Sequence, residues 1–120
     1  MNLQIQAIPA FKDNYLWLII HPDLSEALVV DPGDSKPVLE ALDSQGLSLV
    51  GILITHKHKD HIGGIKELLE KFDVPVFASP VENIPWMTHP VSEQEEIHMN
   101  HWPPIKIMEV PGHTLGHVAY

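Results

Sequence analysis

Three histidines and an aspartate crowd the ten-residue window Thr55-His56-Lys57-His58-Lys59-Asp60-His61-Ile62-Gly63-Gly64, which directly follows an apolar run. Imidazoles and a carboxylate gain little from packing on one another, whereas a divalent transition ion accepts this mixture of nitrogen and oxygen donors. The window reads as a metal site. In an extended segment alternate side chains point the same way, so His56 and His58 can reach one ion while Lys57 turns aside. Asp60 and His61 fall where the chain bends toward a helix, which aims them differently and is compatible with a second ion nearby. Gly63-Gly64 lets the backbone pass close without a side chain blocking the site. The positive N-terminus of that helix opposes a cation, so Asp60 has to offset it and the ions have to sit beside the helix axis.

A second histidine signal stands at Pro111-Gly112-His113-Thr114-Leu115-Gly116-His117. Gly112 permits an unusual backbone turn at the ligand, and His113 can be the third nitrogen. Three protein ligands plus water is the arrangement of a catalytic zinc, whose bound water has its pKa lowered to about 7 and serves as a hydroxide nucleophile. This points to hydrolysis. The chain has no cysteine, so a metal must be held by histidine and carboxylate alone, which disfavours a purely structural zinc knuckle.

The elements that must position these residues follow from periodicity. Leu3 to Ile8 alternates polar and apolar residues and Tyr15 to His21 is a dense apolar run, so both read as strands joined by the turn-like Pro9 to Asn14. Glu26 to Val30 is a third strand, stopped by Asp31-Pro32-Gly33-Asp34. Ser35 caps a first helix with Pro37 in its first turn, Val38, Leu39 and Leu42 at helical spacing, and Gly46 closing it. Leu49 to Thr55 reads as a buried strand that delivers the histidine window at its carboxyl end. Ile62 to Phe72 then places Ile65, Leu68, Leu69 and Phe72 on one helical face, so the window is a strand-to-helix loop. Val74 to Ala78 and Ile105 to Val110 read as further strands, with a Pro-, Glu- and His-rich segment between them that shows no clear period.

Composition excludes several classes of function. At 120 residues and 44% hydrophobic, the chain fits one domain spanning 1–120. Seven Lys and Arg against sixteen Asp and Glu give a net charge of −9 with no basic run, which argues against nucleic acid or an anionic membrane as partner. The apolar stretches Leu16 to Ile20 and Leu49 to Ile54 are far shorter than the roughly 20 residues of a membrane span. Met1 to Asn14 lacks the pattern of a signal peptide, and the expectation is a cytoplasmic protein.

The windows Thr55 to Gly64 and Pro111 to His117 resemble the two N-terminal signatures of the metallo-β-lactamase superfamily. Pro9-Ala10-Phe11-Lys12-Asp13-Asn14-Tyr15 resembles the opening of its glyoxalase II branch, the hydroxyacylglutathione hydrolases. The resemblance runs from the first strand to the last residue. It implies an α/β fold, the αββα sandwich with metals at the edge of the sheets, of which this chain matches the N-terminal portion, a mixed sheet with flanking helices. It implies that His56, His58 and His113 bind the first metal and that Asp60 and His61 contribute to the second. Asp31, in the Asp-Pro-Gly turn, would support the ligands from behind, and His117 would orient or pack beside the site. The implied cofactor is zinc, two ions per full-length enzyme, although these donors suit iron and manganese comparably well. The implied reaction is hydrolysis of a small glutathione thioester, S-D-lactoylglutathione, to D-lactate and glutathione by a metal-held hydroxide, within methylglyoxal detoxification.

The sequence departs from the family at its far end. The bridging aspartate and the last histidine of the second site belong to motifs downstream of Tyr120, as does the helical region that contacts glutathione. The expectation is therefore an N-terminal fragment with at most one tightly held metal, weak or no thioesterase activity, and a tendency to self-associate through exposed sheet edges. Two alternatives accompany it: another hydrolase of the superfamily, such as a lactonase, or an iron persulfide dioxygenase; and a catalytically silent metal-binding fragment. His21, His89, His98 and His101 have no motif context and read as surface or hydrogen-bonded histidines. Asn14 and Tyr15 read as turn and core residues, and Trp86 and Trp102 as loop packing.

Overall fold

The computed structural model describes residues 3–10, 14–56, 62–82, 84–93, 95–109 and 118–120. Among these residues the chain builds a mixed sheet in spatial order β1 (Gln4–Ala10), β2 (Asn14–His21), β3 (Glu26–Val30), β4 (Ser48–Leu53), β5 (Val76–Ala78) and β6 (His89–Pro90). The first three strands pair antiparallel, and β3 through β6 pair parallel. Two helices supply the crossovers, α1 (Ser35–Gln45) between β3 and β4 and α2 (Ile65–Lys71) between β4 and β5. Short pairs follow, β7 (Glu96–Ile97) with β8 (Ile105–Lys106) and β9 (Met108–Glu109) with β10 (Val118–Ala119).

The sheet has two faces with different covers. Period-2 alternation sends Leu16, Leu18 and Ile20 to one face, where they join Val29, Ile52 and Ile54 beneath Val38 and Leu42 of α1 and Ile65 and Leu68 of α2. A fully buried side chain of this kind contributes about 1.5–3 kcal/mol, so this helix-covered face carries most of the apolar burial. The opposite face packs Leu28, Leu53 and Phe77 against Val91, Ile97, Trp102, Ile107 and Val118 of the short strands and their connections. Because β3 is covered on both sides, its sequence is a continuous apolar run rather than an alternating one.

Several elements differ from their sequence-based expectation. Helix α1 is capped by Asp34, whose extended backbone lets Oδ1 accept from Lys36 N at 3.2 Å, and not by Ser35. The Ser35 hydroxyl is engaged elsewhere, donating to Glu67 Oε2 of α2 at 2.7 Å. Gly46 closes α1 as expected, in the left-handed conformation at φ 65°. The expected run from 105 to 110 is split at Ile107, whose amide donates to Glu95 O at 3.0 Å, so that the flanking pairs of residues join different partner strands. Tyr15, expected in the core, is 55% exposed because its register opposite Pro9 puts it on the less covered face of the β1–β2 edge. No helix among the described residues is long and apolar enough to cross a membrane.

His21 is the clearest correction. Expected at the surface or hydrogen-bonded, it is 2% exposed, and neither ring nitrogen has a hydrogen-bond partner among the described residues. Its ring meets Trp102 edge-on at 5.3 Å between centroids, while the Trp102 indole N–H donates to Glu26 Oε1 at 2.8 Å. Among the described residues two polar ring atoms are thus desolvated without a partner, which typically costs about 1–3 kcal/mol. Replacement by a ring of similar size without those atoms, His21→Phe, is expected to stabilise the fold by about 1 kcal/mol. The check is the midpoint of chemical denaturation; an unchanged or lower midpoint would show that the imidazole nitrogens are satisfied in solution.

Candidate metal centre

Because β3 and β4 are parallel and pair Val30 with Leu53, their carboxyl ends finish at the same edge of the sheet. Asp31 follows β3 directly, is buried, and donates its amide to Leu53 O at 2.9 Å. Its φ of 53° lies in the left-handed region, which costs a residue with a Cβ about 1–2 kcal/mol. Aspartate tolerates this conformation better than most side chains, and here the strained backbone accompanies two hydrogen bonds. Oδ1 accepts from Thr55 N at 2.7 Å and Oδ2 from the Thr55 hydroxyl at 2.5 Å.

Those bonds determine the state of His56. Thr55 Oγ1 lies 2.8 Å from His56 Nδ1. The single hydroxyl proton is directed to the Asp31 carboxylate, so the oxygen has only a lone pair to offer the ring, and Nδ1 must carry the hydrogen. In the neutral ring the remaining lone pair then sits on Nε2. This is the tautomer required of a histidine that binds a divalent metal through Nε2, with its other nitrogen held by a neighbouring hydrogen-bond network. His56 is buried, at 5% exposure, so the ring is fixed by its surroundings as well as by that bond. The donor chemistry of His56 therefore fits a metal.

The turn after Asp31 reaches the far side of the histidine window as well. Gly64 donates its amide to Pro32 O at 2.7 Å and sits against the turn so closely that a Cβ would lie 2.6 Å from both Pro32 O and Ser35 N. Both obstacles are backbone atoms, so a side chain there would force the turn and α2 apart. The Ser35–Glu67 bond adds a second tie between the same two elements, and the Glu67 carboxylate in the first turn of α2 suits the positive end of the helix.

A third attachment comes from the last described segment. Val118 N donates to Thr55 O at 3.0 Å, and the Tyr120 hydroxyl donates to Ile54 O at 2.7 Å with Phe77 O at 3.1 Å. Burial pushes the Tyr120 hydroxyl well above its usual pKa and the nearby Asp31 charge adds to the shift, so the group remains a donor. An apolar cleft beside this segment is lined by Trp17, Ile19 and Val30 together with Asp31, Thr55 and Tyr120.

Of the residues that the sequence marks as ligands, the structure describes His56; His58, Asp60, His61 and His113 lie outside the described residues, as does His117. Among the described residues no three metal-binding side chains come together. The structure brings Asp31 to the residue immediately before His56. It also adds Thr55 and Tyr120, to which the sequence reading gave no role. For Thr55 the signal was a hydroxyl directly before the first histidine at the end of an apolar strand; for Tyr120 it was an aromatic hydroxyl three residues after His117.

The model of the metallo-β-lactamase superfamily matches residues 13–120. The chain belongs to this superfamily. A hydroxyacylglutathione hydrolase from Dechloromonas aromatica is 49% identical over 118 residues, covering 98% of this chain and 43% of that protein. The chain spans less than half the length of this and the other similarly named curated relatives. Among solved structures, the BLEG-1 B3 metallo-β-lactamase superposes with a TM-score of 0.82 over 96% of this chain and 65% of its own, at 23% identity, a likeness of fold. TTHA1623 in a di-iron-bound form gives a TM-score of 0.71 at 26% identity over 92% of this chain and 63% of its own. The superfamily's fold thus coincides with the mixed sheet and flanking helices described above, and divalent metal binding is its common property.

Removing the Asp31 carboxylate frees the Thr55 hydroxyl to donate to His56 Nδ1, which would move the ring hydrogen to Nε2 and take the lone pair from the metal side. Asp31→Ala is expected to weaken zinc binding by roughly 10- to 100-fold. Competition with a chromophoric chelator measures this, and an affinity within twofold of the parent would break the link between Asp31 and the imidazole.

Proposed function

We propose that this chain supplies the first metal site of a hydroxyacylglutathione hydrolase, a thioester hydrolase acting on S-(2-hydroxyacyl)glutathione such as S-D-lactoylglutathione. The observation that carries the reading is the Asp31–Thr55–His56 hydrogen-bond chain, which sets the imidazole in its metal-binding tautomer at the carboxyl edge of the parallel strands. It stands in the window where His56, His58 and, further along, His113 form a three-nitrogen donor set, with Asp60 and His61 as donors toward a second ion. The identity shared with the Dechloromonas aromatica hydrolase supports the substrate class. Zinc is the proposed metal, and the protein's proposed place is methylglyoxal detoxification in the cytoplasm.

A bound divalent metal supplies Lewis acidity, polarising a thioester carbonyl and lowering the pKa of a coordinated water. The chain's own contribution is positional. Asp31 holds Thr55, Thr55 fixes the ring hydrogen of His56, and Pro32 O holds Gly64 on the other side of the window.

Elemental analysis of the 120-residue chain purified without added metal is expected to give about one zinc or less per chain, with hydrolysis of S-D-lactoylglutathione near background. Two metals per chain with robust turnover would overturn the partial-site reading. No metal even after zinc addition would overturn the metal reading itself.

We also propose that the 120-residue chain self-associates. The register of β1 with β2 puts Ile5, Trp17 and Tyr15 on one face, at 71%, 42% and 55% exposure, and β1 is an edge strand without a charged side chain. Sedimentation velocity is expected to show concentration-dependent association of the 120-residue chain that weakens in Trp17→Lys. A single monomeric species across the micromolar range would contradict it.

A further inference from the structure

We propose that Tyr120 is a positioning residue for the metal centre, its hydroxyl and the Val118 amide together locking the strand end that launches His56 to the segment that follows His113. The inference rests on the metal reading given above and goes beyond it, because Tyr120 is neither a ligand nor part of the Asp31 chain.

Three successive carbonyls precede His56, and each is taken by a different group. Leu53 O accepts from Asp31 N at 2.9 Å, Ile54 O from the Tyr120 hydroxyl at 2.7 Å, and Thr55 O from Val118 N at 3.0 Å. The first bond merely continues the β3–β4 ladder. The other two come from one three-residue segment, 118–120, which follows the second histidine motif directly in sequence: His113 stands five residues before Val118 and His117 immediately before it.

The place of the hydroxyl is specific. The β4–β5 ladder ends at the pair Leu53 and Phe77, and Phe77 O already accepts from Ile54 N at 2.9 Å. Tyr120 Oη reaches both Ile54 O and Phe77 O, at 2.7 and 3.1 Å, and so closes the fork where the two strands part. Ile54 is fully buried, so without the hydroxyl its carbonyl loses a donor that water cannot readily replace. A phenylalanine ring would fill the same volume; the oxygen serves the carbonyls. Since the next residue along is Thr55, whose amide and hydroxyl orient His56 through Asp31, looseness at Ile54 passes directly to the first ligand.

Tyr120→Phe in the 120-residue chain removes the oxygen and keeps the ring. Thr88→Val removes another hydroxyl that serves the backbone, the acceptor of the Val76 amide at 2.8 Å, outside the site, and serves as the control. In metal-free protein, Tyr120→Phe is expected to speed amide exchange at Ile54 and Thr55 on the order of fivefold. Zinc affinity by chelator competition is expected to fall roughly tenfold. Thr88→Val should change neither readout, even if it lowers the melting temperature as much. Unchanged exchange at Ile54 and Thr55, or faster exchange with unchanged zinc affinity, would overturn the role of Tyr120. A parent chain that binds no zinc at all would instead sink the metal reading, and with it any role toward a metal, whatever the exchange rates show.

Discussion

The turn from Asp31 to Ser35 is the constraint on which the candidate centre depends, because it is attached to both sides of the histidine window. On the entry side, the Asp31 carboxylate accepts both the amide and the hydroxyl of Thr55. On the exit side, Pro32 O accepts from Gly64 N, and the Ser35 hydroxyl donates to Glu67 in the first turn of α2. A loop fixed in this way has its two ends set relative to one another before any metal arrives, which lowers the ordering cost of binding. The left-handed backbone of Asp31 follows from the same constraint, since the residue must end β3, pair with Leu53 and turn its carboxylate back to Thr55.

The two faces of the sheet divide the work of stability and of function. The face under α1 and α2 buries a continuous apolar layer from Ile8 to Ile84 and holds the strands in register. The other face is covered by two-residue strands and their connections, and it thins toward β1 and β2, where Trp17 and Ile5 are exposed. The candidate centre lies at the strand ends between these faces. The strand end that leads to His56 is tied from the sparser side by Val118 N and the Tyr120 hydroxyl, beside the apolar cleft lined by Trp17 and Ile19.

How much of this was legible in the sequence depended on whether a feature is local. The limits of β3 were readable because an apolar run ends at Asp-Pro-Gly-Asp, and the end of α1 because Gly46 must take a positive φ. The choice between Asp34 and Ser35 as cap was not, since both side chains can cap and only the presence of Glu67 across the turn removes Ser35 from the competition. Ile107 shows the same limit: the pattern of residues 105–110 could not reveal that Ile107 bonds Glu95 while the pairs on either side of it serve different partners. The burial of His21 without a hydrogen-bond partner among the described residues was not legible, because it runs against the general rule for buried polar groups. At the site, residue type and spacing marked His56, but the hydrogen on its ring is decided by Asp31, 25 positions upstream, through a hydroxyl that spacing alone could not assign.

Long-range hydrogen bonds to the backbone, more than side-chain packing, define the approach to His56. Side chains around a ligand could be repacked by neighbouring volume changes at modest cost, but the carbonyls of Leu53, Ile54 and Thr55 accept, among the described residues, from donors in residues 31, 120 and 118. These donors belong to segments separated by most of the chain length, and they converge on three consecutive residues. The parallel arrangement of β3 and β4 explains the convergence. It brings both strands to their ends at the same edge, where Asp31 N makes the last ladder bond to Leu53 O and distant segments complete the carbonyls of Ile54 and Thr55. Where the regular sheet runs out of partners, the chain has placed His56.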